Sequence, residues 1–563
     1  MNRETEVYFS ELPVTEAKRS SFLQEHSHKT TFSTGQIIPI YVDGDILPGD
    51  TVEMDVAEVV RGATPIFPVM DNAYLDIMFF FCPTRLVWDH WTAFWGENNV
   101  TYWEQPTEYE IPQVEAPSGG WTEGTLADYM GIPTKVGNIS VSALQGRAYC
   151  KIFNDWFRDE NLMQPTMFNT DETTLTGVNT GDPITDAQKL GLPLMACKAH
   201  DLFTASLPEP QKGPAVQIPL GSEAPVYARD TRIPTGLNAK ELQYEKLTGT
   251  PTITANTNYT AYLRSDADAT VLKGRADLGT TYDAQGPVTI APVNLWTDLE
   301  NATSATINAL RTAWAIQEFY ERQASGGSRY IEFLSNIFAV KSSDARLQRA
   351  EYLGGTRIPI NIDQVLQTSS TDAVSPQGNT GAFSATMGSD SLFTKSFEEH
   401  GILMGLAIVR TEHTYQQGIP KQFLRKKWHD YYVPQFAELG ELPITNAELY
   451  AQGSTAINPN TGKEYDEEVF GYQEAWADYR YKLNRVSGLM RSNATGTLDA
   501  WHYADDYNAL PTLGSTWIRE TDQNVARTMA VQNEPQWIAD FFFKAKYVRP
   551  MPIYSRPFGM QYM

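Results

Sequence analysis

The chain has 563 residues, 44 Lys+Arg against 68 Asp+Glu, and a formal net charge of −24 at pH 7. Charged residues at 20% and aromatics at 12% exclude a disordered chain and a coiled coil, and the length is ample for a large core. The acidity excludes a protein whose whole surface binds nucleic acid, so any such contact must be local.

Residues 36–42 (QIIPIYV) predict a strand, followed by turn clusters at Asp43-Gly44-Asp45 and Pro48-Gly49-Asp50. Residues 51–60 alternate Val52, Met54 and Val56, the period of a half-buried strand, and residues 73–82 (AYLDIMFFFC) predict a strand buried on both faces. Trp88, Trp91 and Trp95 stand at helical spacing, as do Ala148, Ile152, Phe153, Trp156 and Phe157 within 143–160. Residues 198–220 carry four prolines and read as extended chain over a surface. From Ser222 to about Thr303 the composition shifts to Thr, Ala, Asn and Asp, the signature of one large peripheral insertion. The longest helical stretch, 304–340, is interrupted at Gly326-Gly327. An arginine-rich loop and a Pro-bounded strand follow, then a Ser/Thr/Gly loop at 369–390. Strand signals return at 401–415 and 541–548. Core strands therefore lie near both ends of the chain and must pair in one sheet system. That pattern fits an antiparallel β-barrel with long inter-strand insertions, a jelly roll among them; an α+β protein of two domains stays open.

Chemistry is sparsely signalled. No GxxxxGK[ST], GxGxxG, HExxH or GxSxG occurs, so no catalytic residue and no cofactor is predicted. Cys82, Cys150 and Cys197 are widely spaced without a CxxC, which suggests neither a zinc site nor a disulfide framework and points to folding in a reducing cytosol. His26 and His28 form an HxH pair that lacks further ligands. Asp43, Asp45 and Asp50 are more simply turn residues than calcium ligands, so no metal is predicted either. Glu398-Glu399 and Asp505-Asp506 are nominal carboxylate pairs for glycoside hydrolysis. The N-terminus has no secretory signal, and the longest apolar run is too short to span a bilayer.

Local positive charge carries more information. Lys421, Arg425, Lys426 and Lys427 stand beside Trp428, Tyr431 and Tyr432, a pairing of phosphate-neutralising and base-stacking groups suited to single-stranded nucleic acid. A solvated or interface cluster is the plainer alternative. Arg346 and Arg349 suit bidentate pairing with carboxylates within or between subunits. Arg549 and Arg556 lie in a Pro-rich C-terminal tail that reads as lying along a neighbouring surface.

Several stretches together resemble one family. They include HSHKTTFSTGQIIPIYVDGDILPGDT (26–51), FPVMDNAYLDIMFFFCPTRLVWDHW (67–91), RAYCKIFNDWFRDENL (147–162) and KAHDLFTASLPEPQKGP (198–214). GGSRYIEFL, DARLQRAEYLGG, HGILMGLAIVRTEHTYQQG (400–418), FGYQEAWADYRYKLNRVSGLMRS (470–492) and RPMPIYSRP complete the series. In linear order, outside 222–303, they resemble the major capsid proteins of the Microviridae, small tailless icosahedral phages with single-stranded DNA, and among them the gokushoviruses.

The resemblance implies a mainly β chain, an eight-stranded antiparallel jelly-roll barrel with long, partly helical insertions. Residues 1–221 would hold the N-terminal arm, first strands and helical insertions, 222–303 a surface protrusion at the threefold axes, and 304–563 the remaining strands and tail. It implies pentamers and a T=1 shell of about sixty copies, in line with closed symmetry, around a circular single-stranded DNA genome. Lys421, Arg425, Lys426, Lys427 and Trp428 become candidates for DNA contact, Arg346, Arg349, Arg549 and Arg556 for subunit contacts, and Ser222 to Thr303 for attachment to a host cell-surface receptor. Implied partners are an internal scaffolding protein, a DNA pilot protein and a small basic packaging protein. The location implied is the virion, assembled in the bacterial cytoplasm. A glycan-binding or glycoside-hydrolysing β-protein is the alternative.

Overall fold

The computed structural model describes residues 18–97, 107–214, 216, 307–327, 329–341, 343, 348–366, 368, 380–532 and 534–554, with six short strands between 226 and 297. It divides into two units, Met1–Lys212 with Arg322–Met563, and Gly213–Glu321. Arg346, Arg556 and most of 222–303 lie outside the described residues.

Eight strands organise the first unit: β1 (Ser20–Phe32), β2 (Ile38–Ile46), β3 (Thr51–Gly62), β4 (Ala73–Pro83), β5 (Glu351–Pro359), β6 (Thr386–Ser396), β7 (Gly401–Thr411) and β8 (Trp537–Arg549). They form two antiparallel four-stranded sheets, ordered β1-β8-β3-β6 and β5-β4-β7-β2. Strands from the two ends of the chain pair directly, with Phe32 opposite Trp537 and Trp537 opposite Gly62. The fold is thus mainly β and antiparallel, as the sequence predicted. Among the described residues these are two separate hydrogen-bonded sheets rather than one closed ring.

Side-chain alternation explains the layering. In β8, Ala539, Phe541, Phe543, Ala545 and Tyr547 point inward and Ile538, Phe542 and Lys544 outward. Their inward row meets Leu75, Ile77, Phe79 and Phe81 of β4 in one core between the sheets. Phe79 sits at its centre, with ring centroids 5.8 Å from Tyr41 and 5.6 Å from Phe393. The β4 residues of opposite parity, Phe80 and Cys82, enter a second core on the outer face of the same sheet. Helix α1 (Leu144–Ile152) covers that face with Ala148, Tyr149 and Ile152 and continues as a π-helical turn, Phe153–Phe157. The continuous apolar run of β4 follows from this double burial.

The outer face of the first sheet carries ionic and hydroxyl ladders instead. Lys29 pairs with Asp540 at 3.3 Å, Lys546 with Glu53 at 3.2 Å, and Thr51 with Ser396 at 2.8 Å. These cross-strand pairs are the contacts that antiparallel registers allow.

Local expectations fare unevenly. The tryptophan-spaced helix at 86–95 shrinks to the four residues Trp91–Phe94. Segment 198–211 is threaded into the second core by Leu202 and Phe203, with Leu207 also buried, rather than lying over a surface. The loop predicted at 369–390 ends in the strand Thr380–Ser384, paired with Ile362–Leu366, and in the start of β6. The break at Gly326-Gly327 is present: α2 (Ile307–Gly326) stops there, Gly327 takes φ +87°, and α3 (Tyr330–Phe338) begins. Tyr330 and Phe338 of α3 are exposed.

In the second unit the six strands pair in a nested order. Val226–Ala228 pairs with Leu295–Thr297, Tyr244–Lys246 with Ile290–Pro292, and Ala261–Ser265 with Leu272–Ala276, all antiparallel. The chain leaves and returns along its own path.

Candidate assembly and nucleic-acid interface

The basic segment after β7 folds by short-range hydrogen bonding. Pro420 opens a 3-10 turn, Lys421–Phe423, and a second turn follows at Trp428–Asp430. The Asp430 carboxylate accepts from the backbone amides of Lys426 (2.8 Å) and Lys427 (2.7 Å). Those two bonds, Lys427 first, hold the carboxyl below its usual range. The clamp turns the side chains of Lys426, Lys427 and Trp428 to solvent, and Trp428 is 71% exposed.

The other two basic residues are engaged within the subunit. Arg425 donates to the Asp430 carbonyl (2.8 Å), pairs with Asp478, and lies 4.5 Å from the Tyr479 ring centroid. Lys421 reaches the Pro443 carbonyl (3.2 Å) and Glu448 (3.3 Å). Burial raises the Glu448 carboxyl, and Lys421 acts against that rise.

Among the arginines, Arg349 stacks 3.9 Å from the Trp156 ring centroid. Arg549 joins Asp43 (3.4 Å) and Asp50 (3.1 Å). Its guanidinium takes the place a cation would need among these aspartates, and among the described residues no group of three or more metal-ligating side chains converges. The two histidines of the HxH pair share one face of β1 but are engaged separately: His28 Nδ1 lies 2.9 Å from the Ile40 carbonyl, while the His26 ring packs on Tyr41 and Phe543.

In each nominal carboxylate pair one member, Glu399 or Asp505, is held by partners within the subunit. Glu399 is held by Arg85 at 2.7 Å. Asp505 is buried, within 3.0 Å of His413 Nδ1, and accepts from Asn524 Nδ2 (2.5 Å) and the Tyr507 hydroxyl (3.1 Å). His413 Nε2 lies 3.2 Å from Glu520, and Lys198 Nζ lies 3.7 Å from Asp505. Two cations and two carboxylates thus close on one another out of reach of a sugar.

What remains is a subunit with exposed aromatic and basic groups and long insertions. Its sequence matches the capsid protein (F protein) family over residues 10–559. The chain belongs to that family. It is 41% identical to capsid protein VP1 of Spiroplasma virus 4 over 549 residues, covering 94% of each chain. It is 38% identical to capsid protein VP1 of Chlamydia phage 1, covering 98% of this chain and 97% of the relative. For capsid protein VP1 of Bdellovibrio phage phiMH2K the figures are 39%, 99% and 98%. The resemblance to microvirus capsid proteins therefore holds over nearly the whole chain, and the family is structural rather than enzymatic.

Sequence reasoning missed part of the exposed cluster. Tyr481, Lys482 and Arg485 are exposed and line one cleft with Phe423 and Lys421. The run RYKLNRVS shows the same basic-aromatic interleaving as 421–432. That signal was legible, but its nearness to 421–425 was not.

Proposed function

We propose that this capsid protein assembles through pentamers into a T=1 shell of about sixty copies around a circular single-stranded DNA genome. Near-full-length membership of the phage capsid family carries this reading. The two sheets read as a jelly roll, an architecture shared by viral capsid domains. Numbered along the chain, the paired strands one and eight, two and seven, three and six, and four and five form one long antiparallel hairpin. Rolling it brings eight beside three and seven beside four, in agreement with both strand orders.

Lys426, Lys427 and Trp428 face the genome in this reading, because all three side chains are exposed while Lys421 and Arg425 are held in ion pairs within the subunit. Lys426→Gln with Lys427→Gln is expected to lower DNA content per particle while leaving subunit folding intact. Unchanged DNA content and particle yield would remove these residues from the role. Arg346, Arg349, Arg549 and Arg556 remain subunit-contact candidates, and Arg549 enters through the Asp43–Asp50 turns it braces.

The insertion 222–303 serves host-receptor attachment at a threefold protrusion, a reading supported by its nested strand pairing. Replacing it by a short Gly/Ser linker should leave a folded subunit and abolish adsorption to host cells; a subunit that no longer folds would count against the assignment. An internal scaffolding protein, a DNA pilot protein and a small basic packaging protein complete the set of partners, the last supplying positive charge that this acidic subunit lacks. Assembly takes place in the bacterial cytoplasm and the product is the virion.

A further inference from the structure

We propose that the cleft between the 415–425 turn and the extended 478–491 segment holds one nucleotide of a single-stranded chain. Lys482 and Arg485 would take its phosphate, and Tyr481 and Phe423 its base. This deepens, and rests on, the DNA reading above, and it adds residues which that reading does not contain.

Four observations carry it. The cleft measures about 670 Å³, within the range of small-ligand sites. Its two acids are neutralised from within, Glu448 by Lys421 at 3.3 Å and Asp478 by Arg425. Its other cations have no carboxylate among the described residues: Lys482 Nζ donates to the Asp478 carbonyl (3.3 Å), Arg491 Nη1 to the Gln416 carbonyl (2.6 Å), and Arg485 is exposed. Phe423 and Tyr481 line the same cleft with 69% and 58% of their surface exposed, an unfavourable placement for apolar rings unless something covers them.

The chemistry selects the ligand class. Unpaired cations favour a phosphate, and exposed ring faces favour a planar base; together they describe a nucleotide in an unpaired strand rather than a bare anion. The cleft wall from Tyr481 to Ser487 belongs to no helix or strand, so its backbone can follow an extended ligand.

The test uses the purified full chain, titrated with a fluorescein-labelled oligothymidylate across a salt series. Lys482→Gln with Arg485→Gln is expected to weaken binding about tenfold and to flatten the log affinity–log salt slope by about 0.7, the value for one phosphate contact on a single strand. Tyr481→Ala is expected to weaken binding about tenfold with the slope unchanged. Thymidine monophosphate should compete, and better than inorganic phosphate. Wild-type affinity and slope in these variants, while Lys426→Gln with Lys427→Gln loses affinity, would overturn the cleft and leave the DNA reading standing. No binding by the wild-type chain would overturn both. Loss of particle assembly with oligonucleotide affinity intact would make the cleft a subunit contact and overturn the proposal.

Discussion

Replacing His413 by alanine is expected to destabilise the subunit by about 3–5 kcal/mol, the cost of removing one partner from a buried ionic group. His413 lies between Asp505 (3.0 Å) and Glu520 (3.2 Å), almost completely buried. Burial alone would lower the imidazole pKa; Glu520 and Asp505 overcome it and raise the value to about 10. For Asp505, burial acts upward, and the His413 bond with Lys198 and Asn524 brings the carboxyl well below its usual range. The folded state therefore binds more protons at His413 than the unfolded chain between 6.5 and about 10. Its contribution is fully present below pH 6.5 and is lost as pH rises through about 10. Denaturant unfolding of the isolated subunit checks this, with His413→Gln as an intermediate case that keeps hydrogen bonding without the charge. A His413→Ala subunit within about 1 kcal/mol of wild type would show that the cluster contributes no ionic stabilisation.

Glu58→Gln is expected to act in the opposite direction, stabilising the subunit at neutral and alkaline pH. Glu58 points inward from β3 between Val56 and Val60, 1% exposed, and neither carboxyl oxygen has a hydrogen-bond partner. Phe541 stands opposite it on β8 and Gly388 on β6, and a Cβ on Gly388 would collide with Glu58 Oε1. Ile358 of β5 closes the space, and the charged neighbour is Asp390 of β6. Burial first, and the Asp390 charge second, raise the Glu58 carboxyl to about 7 from 4.5. A raised acid retains its proton in the folded state while the unfolded chain releases it. Stability from this group is thus present below pH 4.5 and is lost as pH rises through about 7.

The loss above pH 7 is on the order of 2 kcal/mol. Water at the exposed sandwich edge screens the Asp390 charge and keeps the loss this small. Melting curves of wild type and Glu58→Gln should converge below pH 4.5 and separate above about pH 7, with the variant higher. Parallel curves at every pH would mean that Glu58 does not titrate in this range.

These two groups mark where the sequence stops being readable. Strands β3, β4 and β7 were legible because their apolar patterns report burial on one face or two. Glu58 occupies an inward position of β3, so alternation locates it but cannot say that its carboxyl lacks partners. Strand β1 went unread because it is an edge strand, polar on most positions and half exposed. β6 went unread because Ser, Thr and Gly dominate its first half, a composition that signals loops. The basic segment at 421–428 was visible as composition, but which cations are paired is a tertiary fact. Asp478 lies 53 positions from Arg425, and only folding shows that this pair is closed while Lys426 and Lys427 remain exposed. His413, Asp505 and Glu520 are likewise ordinary polar residues in sequence and become a closed network only when the loops around β7 meet.

Sedimentation of the purified protein, followed by electron microscopy of the separated fractions, tests the capsid reading most directly, with and without a co-expressed internal scaffolding protein. Pentamers or small uniform icosahedral shells are the predicted result. A monodisperse monomer under both conditions would contradict it.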